Sequence, residues 1–198
     1  MPDERCLVLA SASSARKAML ESAGLLFEVI PADIDEPAIT RSISEKSAGV
    51  APAEIAAALA AEKARTVSRL RKGAFVIGSD QVLAIDRRLL DKAQSNPEAR
   101  QHLQLLRART HTLVSAAALA RDGHVSWQTS KTAEMTMRNF SDAFLDDYLA
   151  RAGKPLLSSV GCYELEGLGV QLFERIDGDY FTILGLPLLE LLSHLREI

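Results

Sequence analysis

Apolar and polar positions follow two rhythms along this 198-residue chain, interrupted by turn chemistry, and together they predict its elements. Unbroken apolar runs at 6–10 and 74–78 have the length and composition of buried strands. Ile55, Leu59, Ala60, Lys63 and Val67 recur every three to four residues in an Ala-rich stretch, which predicts a long helix over 53–70. Good helix formers at 15–22 follow a Ser11-Ala12-Ser13-Ser14 turn and stop at Gly24. Residues 27–30 alternate as a strand ending at Pro31, and Asp33-Ile34-Asp35-Glu36-Pro37 reads as an acidic loop. Extended chain continues over 82–85 to a turn at Asp86-Arg87-Arg88. Asn96-Pro97-Glu98 places a cap residue, a first-turn proline and an acid in order, starting a helix that runs to about Leu106. Residues 111–120 and 125–137 are strands about an Asp122-Gly123 hairpin turn. Ser141 caps a helix over 142–152 closed by Gly153, and 160–173 is punctuated by glycine. Asp177-Gly178-Asp179 forms a turn, 180–184 a strand and 187–196 a final amphipathic helix. Strands and helices are interspersed throughout, so the fold class is mixed α/β, with 1–198 as a single domain.

Composition narrows the partners. Lys and Arg number 23 against 26 Asp and Glu, a formal charge of −3. The balance is even on both sides of Leu90, with 12 basic and 12 acidic residues up to it and 11 and 14 after it. Neither half is a basic arm, which argues against a nucleic-acid polymer as partner. At 47% hydrophobic residues the chain has enough apolar content to fold, and no apolar run nears the ~20 residues of a membrane span. Met1-Pro2-Asp3-Glu4-Arg5 lacks the layout of a secretory leader. Cys6 and Cys162 lie far apart without CxxC spacing, so both read as reduced thiols and the expected compartment is the cytoplasm.

Candidate chemistry collects around phosphate. The serine turn, with Arg16 and Lys17 just inside the following helix, suits an anion through backbone N–H groups and a guanidinium. An ordinary serine-capped helix has the same pattern. Asp33, Asp35 and Glu36 form the densest acidic cluster, and Asp80 stands at the end of an apolar strand, where burial demands a partner. Hard oxygen ligands from two loops are what Mg²⁺ takes in phosphate chemistry. Lys63, on the apolar helix face, and Lys92, in the loop after Leu89-Leu90, can reach a phosphate, although snorkelling to the surface is the usual outcome. The four histidines show no metal spacing, and the GxSxG elbow and GxxxxGK[ST] loop are both absent.

Taken in order, the motifs resemble the Maf family of nucleoside triphosphate pyrophosphatases over nearly the whole chain. They run Leu9-Ala10-Ser11-Ala12-Ser13 with Arg16, Asp33-Ile34-Asp35-Glu36, Glu62-Lys63-Ala64, Ile77-Gly78-Ser79-Asp80-Gln81-Val82 and Lys92. Gly161-Cys162-Tyr163-Glu164-Leu165-Glu166-Gly167, Leu172-Phe173, Gly178-Asp179-Tyr180 and Gly185-Leu186-Pro187 complete the set. The resemblance implies a long mixed sheet with flanking helices in two lobes around a central cleft, a Maf/inosine triphosphatase-like fold. It implies hydrolysis of a nucleoside triphosphate between its α and β phosphates, giving a monophosphate and pyrophosphate with a divalent cation, Mg²⁺ or Mn²⁺. By matching position Asp80 is the catalytic base, Glu36 and Asp80 hold the metal, and Ser11, Ser13, Arg16, Lys63 and Lys92 bind the triphosphate. Family members often pair, so a homodimer is compatible.

Three positions follow the family's division by substrate. Gln81 and Glu166 look like the branch acting on 7-methyl-GTP, where the dTTP and UTP branch has Thr and Gln. Ala15 fits neither branch, which carry Trp or Arg there. The family's Ser-Pro and Gly-Lys-Pro are here Ser13-Ser14 and Asp91-Lys92-Ala93, and its Ser-Gly before the histidine is Arg107-Ala108. The expected role is clearance of modified or non-standard nucleotides. The rival readings are a catalytically impaired nucleotide-binding module linked to cell-division control, and a phosphatase or nucleotidyltransferase using the same acidic pair.

Overall fold

The computed structural model describes residues 6–46, 51–86 and 88–198. Residues 1–5, on which the leader reading rests, and Arg87 of the expected turn lie outside that description. In chain order the strands are β1 (Leu7–Leu9), β2 (Glu28–Val29), β3 (Phe75–Ile85), β4 (Arg88–Leu90), β5 (Thr110–Arg121), β6 (His124–Met137) and β7 (Phe173–Asp177). The helices are α1 (Ser14–Ser22), α2 (Glu36–Lys46), α3 (Pro52–Leu70), α4 (Asn96–Leu106), α5 (Asp142–Ala152), α6 (Tyr180–Ile183) and α7 (Leu188–Leu195), with short 3-10 turns at Lys154–Ser158 and Leu168–Leu172. They build one mixed sheet in the order β2-β1-β3-β5-β6-β7, with β4 also on β3. The α/β expectation holds.

Local chemistry accounts for most boundaries. Ser13, Ser95 and Ser141 each accept a hydrogen bond from the N–H three residues on, capping α1, α4 and α5. Asp122 and Gly123 both have positive φ, as the tight turn between β5 and β6 requires. Two expectations are corrected. The segment 180–184 is not a strand: Asp179 accepts from the Thr182 N–H at 2.9 Å and from its hydroxyl, and that cap turns the chain into α6. The acidic stretch at Asp33 to Pro37 is a loop only as far as Asp35, whose carboxylate accepts from the Ala38 N–H, so Glu36 opens α2. The strands β4 and β7 are further elements that the pattern does not predict; both are short and each pairs with a single neighbour.

Strand β3 organises the molecule. Its first residues pair in parallel with β1, Leu9 against Ile77, and its last pair antiparallel with β4, Leu83 against Leu90. Both partners lie on the same side of β3, because β5 occupies the other side from Val76 to Ala84. The sheet therefore forks, and among the described residues no strand pairs with residues 78–82 of β3 along that edge. The face of β3 away from α3 carries two separate apolar clusters. One joins Leu9, Leu20 and Ile77 to Leu186, Leu188 and Leu191, and the other joins Leu83 and Ile85 to Leu103, Met135 and Leu145. Polar Ser79 and Gln81 lie between them, so the two lobes divide at the fork.

On the other face α3 lies very close. Ala56, Ala60, Ala61 and Ala64 pack against Ala116, Ala118 and Ala120, small residues meeting small residues. A Cβ at Gly78 would stand 2.1 Å from the Ala60 carbonyl oxygen and 2.5 Å from the Ala64 nitrogen, so only glycine permits this spacing. Among the described residues no helix is long and apolar enough to cross a membrane.

Candidate active site

Alternation along β3 sends successive side chains to opposite faces, and the fork gives each face a different task. Asp80 points towards α3 and is almost fully buried. The close approach of α3 brings Lys63 onto it, with Nζ donating to Asp80 Oδ1 at 2.6 Å. The same ammonium lies 2.8 Å from Oε1 of Glu36, at the start of α2, whose side chain is half exposed. One lysine thus joins two carboxylates from different elements. The apolar helical rhythm that makes α3 pack on the sheet also places Lys63 under cover.

Arg16 enters from the other side of the fork. Its Nε donates to the Gly185 carbonyl at 2.8 Å, and its Nη1 donates to the Ser11 hydroxyl at 3.1 Å and the Ser79 carbonyl at 3.0 Å. That Ser79 carbonyl lies where the missing strand would have supplied a donor, so Arg16 closes the sheet's open edge. Burial lowers the Arg16 pKa, opposed by the negative charges of Asp80 and Glu36. Asp80 is shifted the other way: burial raises its pKa, while Lys63 and Arg16 pull it back. Two cations and two carboxylates share one neighbourhood, buried except at Glu36, and their formal charges cancel.

Residues on either side of Asp80 fasten the C-terminal segment. The Ser79 hydroxyl lies within hydrogen-bond reach of the Ala116 carbonyl at 2.8 Å and the Gly185 carbonyl at 2.9 Å. Gln81 Nε2 lies 3.0–3.1 Å from the Ser115 hydroxyl and the carbonyls of Thr182 and Ile183. Two of those three acceptors are carbonyl oxygens, so the amide nitrogen must face them. The Ser115 hydroxyl itself donates to Thr182 at 2.7 Å.

Of the residues singled out from sequence, Glu36, Lys63, Asp80 and Arg16 converge. Ser11 joins them through Arg16, and Ser13 caps α1 while its own N–H donates to Ser11 at 3.2 Å. Gln81 adjoins through the backbone, and Ala15 precedes Arg16, half-buried in the first turn of α1. Lys92 is not drawn in: it is exposed between β4 and α4, and its carbonyl accepts from the Gln94 side chain. Glu166 is exposed in a turn before Leu168–Leu172. Asp33 and Asp35 are exposed and make no ion pair among the described residues. Sequence reasoning assigned no task to Ser79, Ser115, Thr182 or Gly185. A serine or threonine fully buried in an apolar neighbourhood must find a partner, and Ser79 carried that signal within the apolar run of β3.

The residues present suit a hard divalent cation. Two carboxylates reach a single point from separate elements, oxygen donors of the kind Mg²⁺ takes when substrate phosphates and water complete its shell. Among the described residues no three His, Cys, Asp or Glu gather as a fuller ligand set.

A 7-methyl-GTP pyrophosphatase of Rhizobium meliloti is 50% identical over 97% of this chain and 96% of its own length. A nucleoside triphosphate pyrophosphatase of Nitrobacter winogradskyi is 50% identical over 96% of this chain and 93% of its own. Another of that name, from Caulobacter vibrioides, is 52% identical over 96% and 94%. The profile of the family described as Maf-like protein matches residues 6–198, and with identity near one half across those lengths this chain belongs to that family.

Proposed function

We propose that this chain hydrolyses nucleoside triphosphates to nucleoside monophosphate and pyrophosphate, acting on modified or non-standard nucleotides with 7-methyl-GTP foremost. The observation that carries the reading is the shared ammonium of Lys63 between buried Asp80 and half-exposed Glu36, with buried Arg16 alongside. Phosphoryl-transfer catalysis is mostly positioning and charge stabilisation, and this cluster supplies both. Asp80 takes a proton from the attacking water as its oxygen bonds the α-phosphorus. The bond from that phosphorus to the bridging oxygen then breaks, and pyrophosphate leaves. Burial raises the Asp80 pKa and makes its carboxylate the better proton acceptor. Lys63 and Arg16 face the phosphates, Ser11 and Ser13 shape the turn beneath them, and Lys92, exposed outside the cluster, is assigned no phosphate contact. Glu36 and Asp80 would hold Mg²⁺ or Mn²⁺, which when bound supplies a Lewis acid for the phosphate oxygens.

Substrate choice rests on Gln81 and Glu166, which match the 7-methyl-GTP branch, and three relatives carry that substrate in their names. Turnover of ordinary and methylated triphosphates with Mg²⁺ tests the reading, with monophosphate and pyrophosphate as the expected products and 7-methyl-GTP the fastest substrate. Release of orthophosphate instead would assign a different reaction, and binding without turnover would favour a regulatory module. Asp80→Asn should lower the rate more than the ~10²–10⁴-fold of a lost general base, because the same carboxylate also serves the metal. Circular dichroism should show the fold unchanged. Retention of a tenth of the wild-type rate would remove Asp80 from the chemistry.

A further inference from the structure

Resting on that reading of Glu36 and Asp80, we propose that Lys63 is a built-in competitor of the divalent cation, so that the metal enters with the polyphosphate and not ahead of it. The oxygens Asp80 Oδ1 and Glu36 Oε1 both lie within hydrogen-bond distance of one ammonium, at 2.6 and 2.8 Å. A Mg²⁺ ion drawing on the same two carboxylates would need contacts of about 2.0–2.1 Å to its oxygens. The Lys63 ammonium already takes one oxygen of each as its partner, so lysine and metal compete for the same pair. Lys63 is held there by its element, since α3 is packed tightly on β3 and its side chain is 11% exposed.

Charge leads to the same conclusion. Arg16 and Lys63 already balance Asp80 and Glu36, so a divalent ion arriving alone adds two uncompensated positive charges to a site where three of those four residues are buried. A triphosphate supplies the missing negative charge and gives the Lys63 ammonium new oxygen acceptors. The lysine then leaves the carboxylates for the phosphates, and the carboxylates become free for the metal. Lys63 thus couples the two binding events, each favouring the other by the same factor.

Mn²⁺ binding followed by electron paramagnetic resonance, with and without inorganic pyrophosphate, tests this on the full chain. Wild type should bind Mn²⁺ alone weakly, and Lys63→Met should bind it at least tenfold more tightly. The gain should vanish in Lys63→Met combined with Glu36→Gln. If wild type binds Mn²⁺ with pyrophosphate in a Glu36-dependent manner but Lys63→Met is no tighter alone, competition is wrong and the metal assignment stands. If no Glu36-dependent Mn²⁺ appears in any combination, the metal assignment falls and this inference with it. A wild-type measurement covers the case of a misfolded variant. The ¹⁵N resonance of the Lys63 ammonium should stay in place with millimolar Mg²⁺ alone and move when pyrophosphate is added. Movement that saturates at micromolar Mg²⁺ without pyrophosphate overturns the proposal.

Discussion

A buried titratable side chain either finds a counter-charge or gives up its own. Asp80 and Arg16 take the first course and His111 the second. Its Nε2 lies 2.7 Å from the Tyr163 hydroxyl, and among the described residues its buried Nδ1 has no hydrogen-bond partner and no charged group contributes to the ring's pKa shift. Burial lowers its pKa from 6.5 to about 4. Because the folded value lies below the unfolded one, the unfolded chain binds the extra proton between those values. The contribution is present in full above pH 6.5 and is lost as pH falls from 6.5 towards 4. Urea unfolding should therefore show wild type losing about 2 to 3 kcal/mol more than His111→Gln between pH 7 and 4.5. Equal losses would place the acid sensitivity elsewhere. At this scale the sequence was uneven. Asp80 was legible because a carboxylate at the end of an apolar run must be paired. His111 showed only that it lacked metal spacing, since its burial depends on Tyr163 and Phe173, more than fifty residues away.

Elements place these side chains through how closely they pack, and the contact of α3 with β3 sets the distance from Lys63 to Asp80. Gly78→Ala would drive a methyl into the backbone of α3, where no side chain can yield. Overpacking of a tight core costs about 1–3 kcal/mol, and more where backbone is struck. The variant should unfold at lower urea by at least that range and lose turnover along with stability. Turnover loss without destabilisation would mean that the helix can shift while the strand stays. The long helix was readable from its alanines and its apolar period and α5 from its cap, whereas α4 takes its cap from Ser95, one residue before the Asn96 that the sequence offered. The sequence misled where four residues carried two signals. Residues 180–183 have the aromatic and β-branched content of a strand, yet the Asp179 cap and the carbonyl acceptors offered to Gln81, Ser115, Ser79 and Arg16 favour a helical turn.

Over the whole molecule the fork in the sheet is the decisive feature. The family resemblance implies two lobes about a cleft, and the separate apolar clusters on either side of the fork accord with the lobes; the cause of the fork is a matter of register and could not be read from a single chain. Strand β1 stops at Leu9 and β4 ends at Leu90 beside Leu83, and neither position is marked by any local residue preference. Near-neutral net charge likewise concealed the site, because opposite charges gathered in one place leave the total unchanged.

Strand β3 has a further consequence for the life of the molecule at rising temperature. Asp80 lies midway along a strand that β5 pairs over its whole central length, with apolar clusters above and below. Regions of that kind open only when the whole structure does, whereas sites on loops come apart early. Heat should therefore leave catalysis intact up to the cooperative transition and remove it there in a single step. Residual turnover and circular dichroism, followed on the same heated sample, should share one midpoint. Inactivation well below the transition would show that the fork can loosen by itself. A site carried by the central strand cannot be tuned for flexibility separately from the fold, so its working range in temperature is that of the protein as a whole.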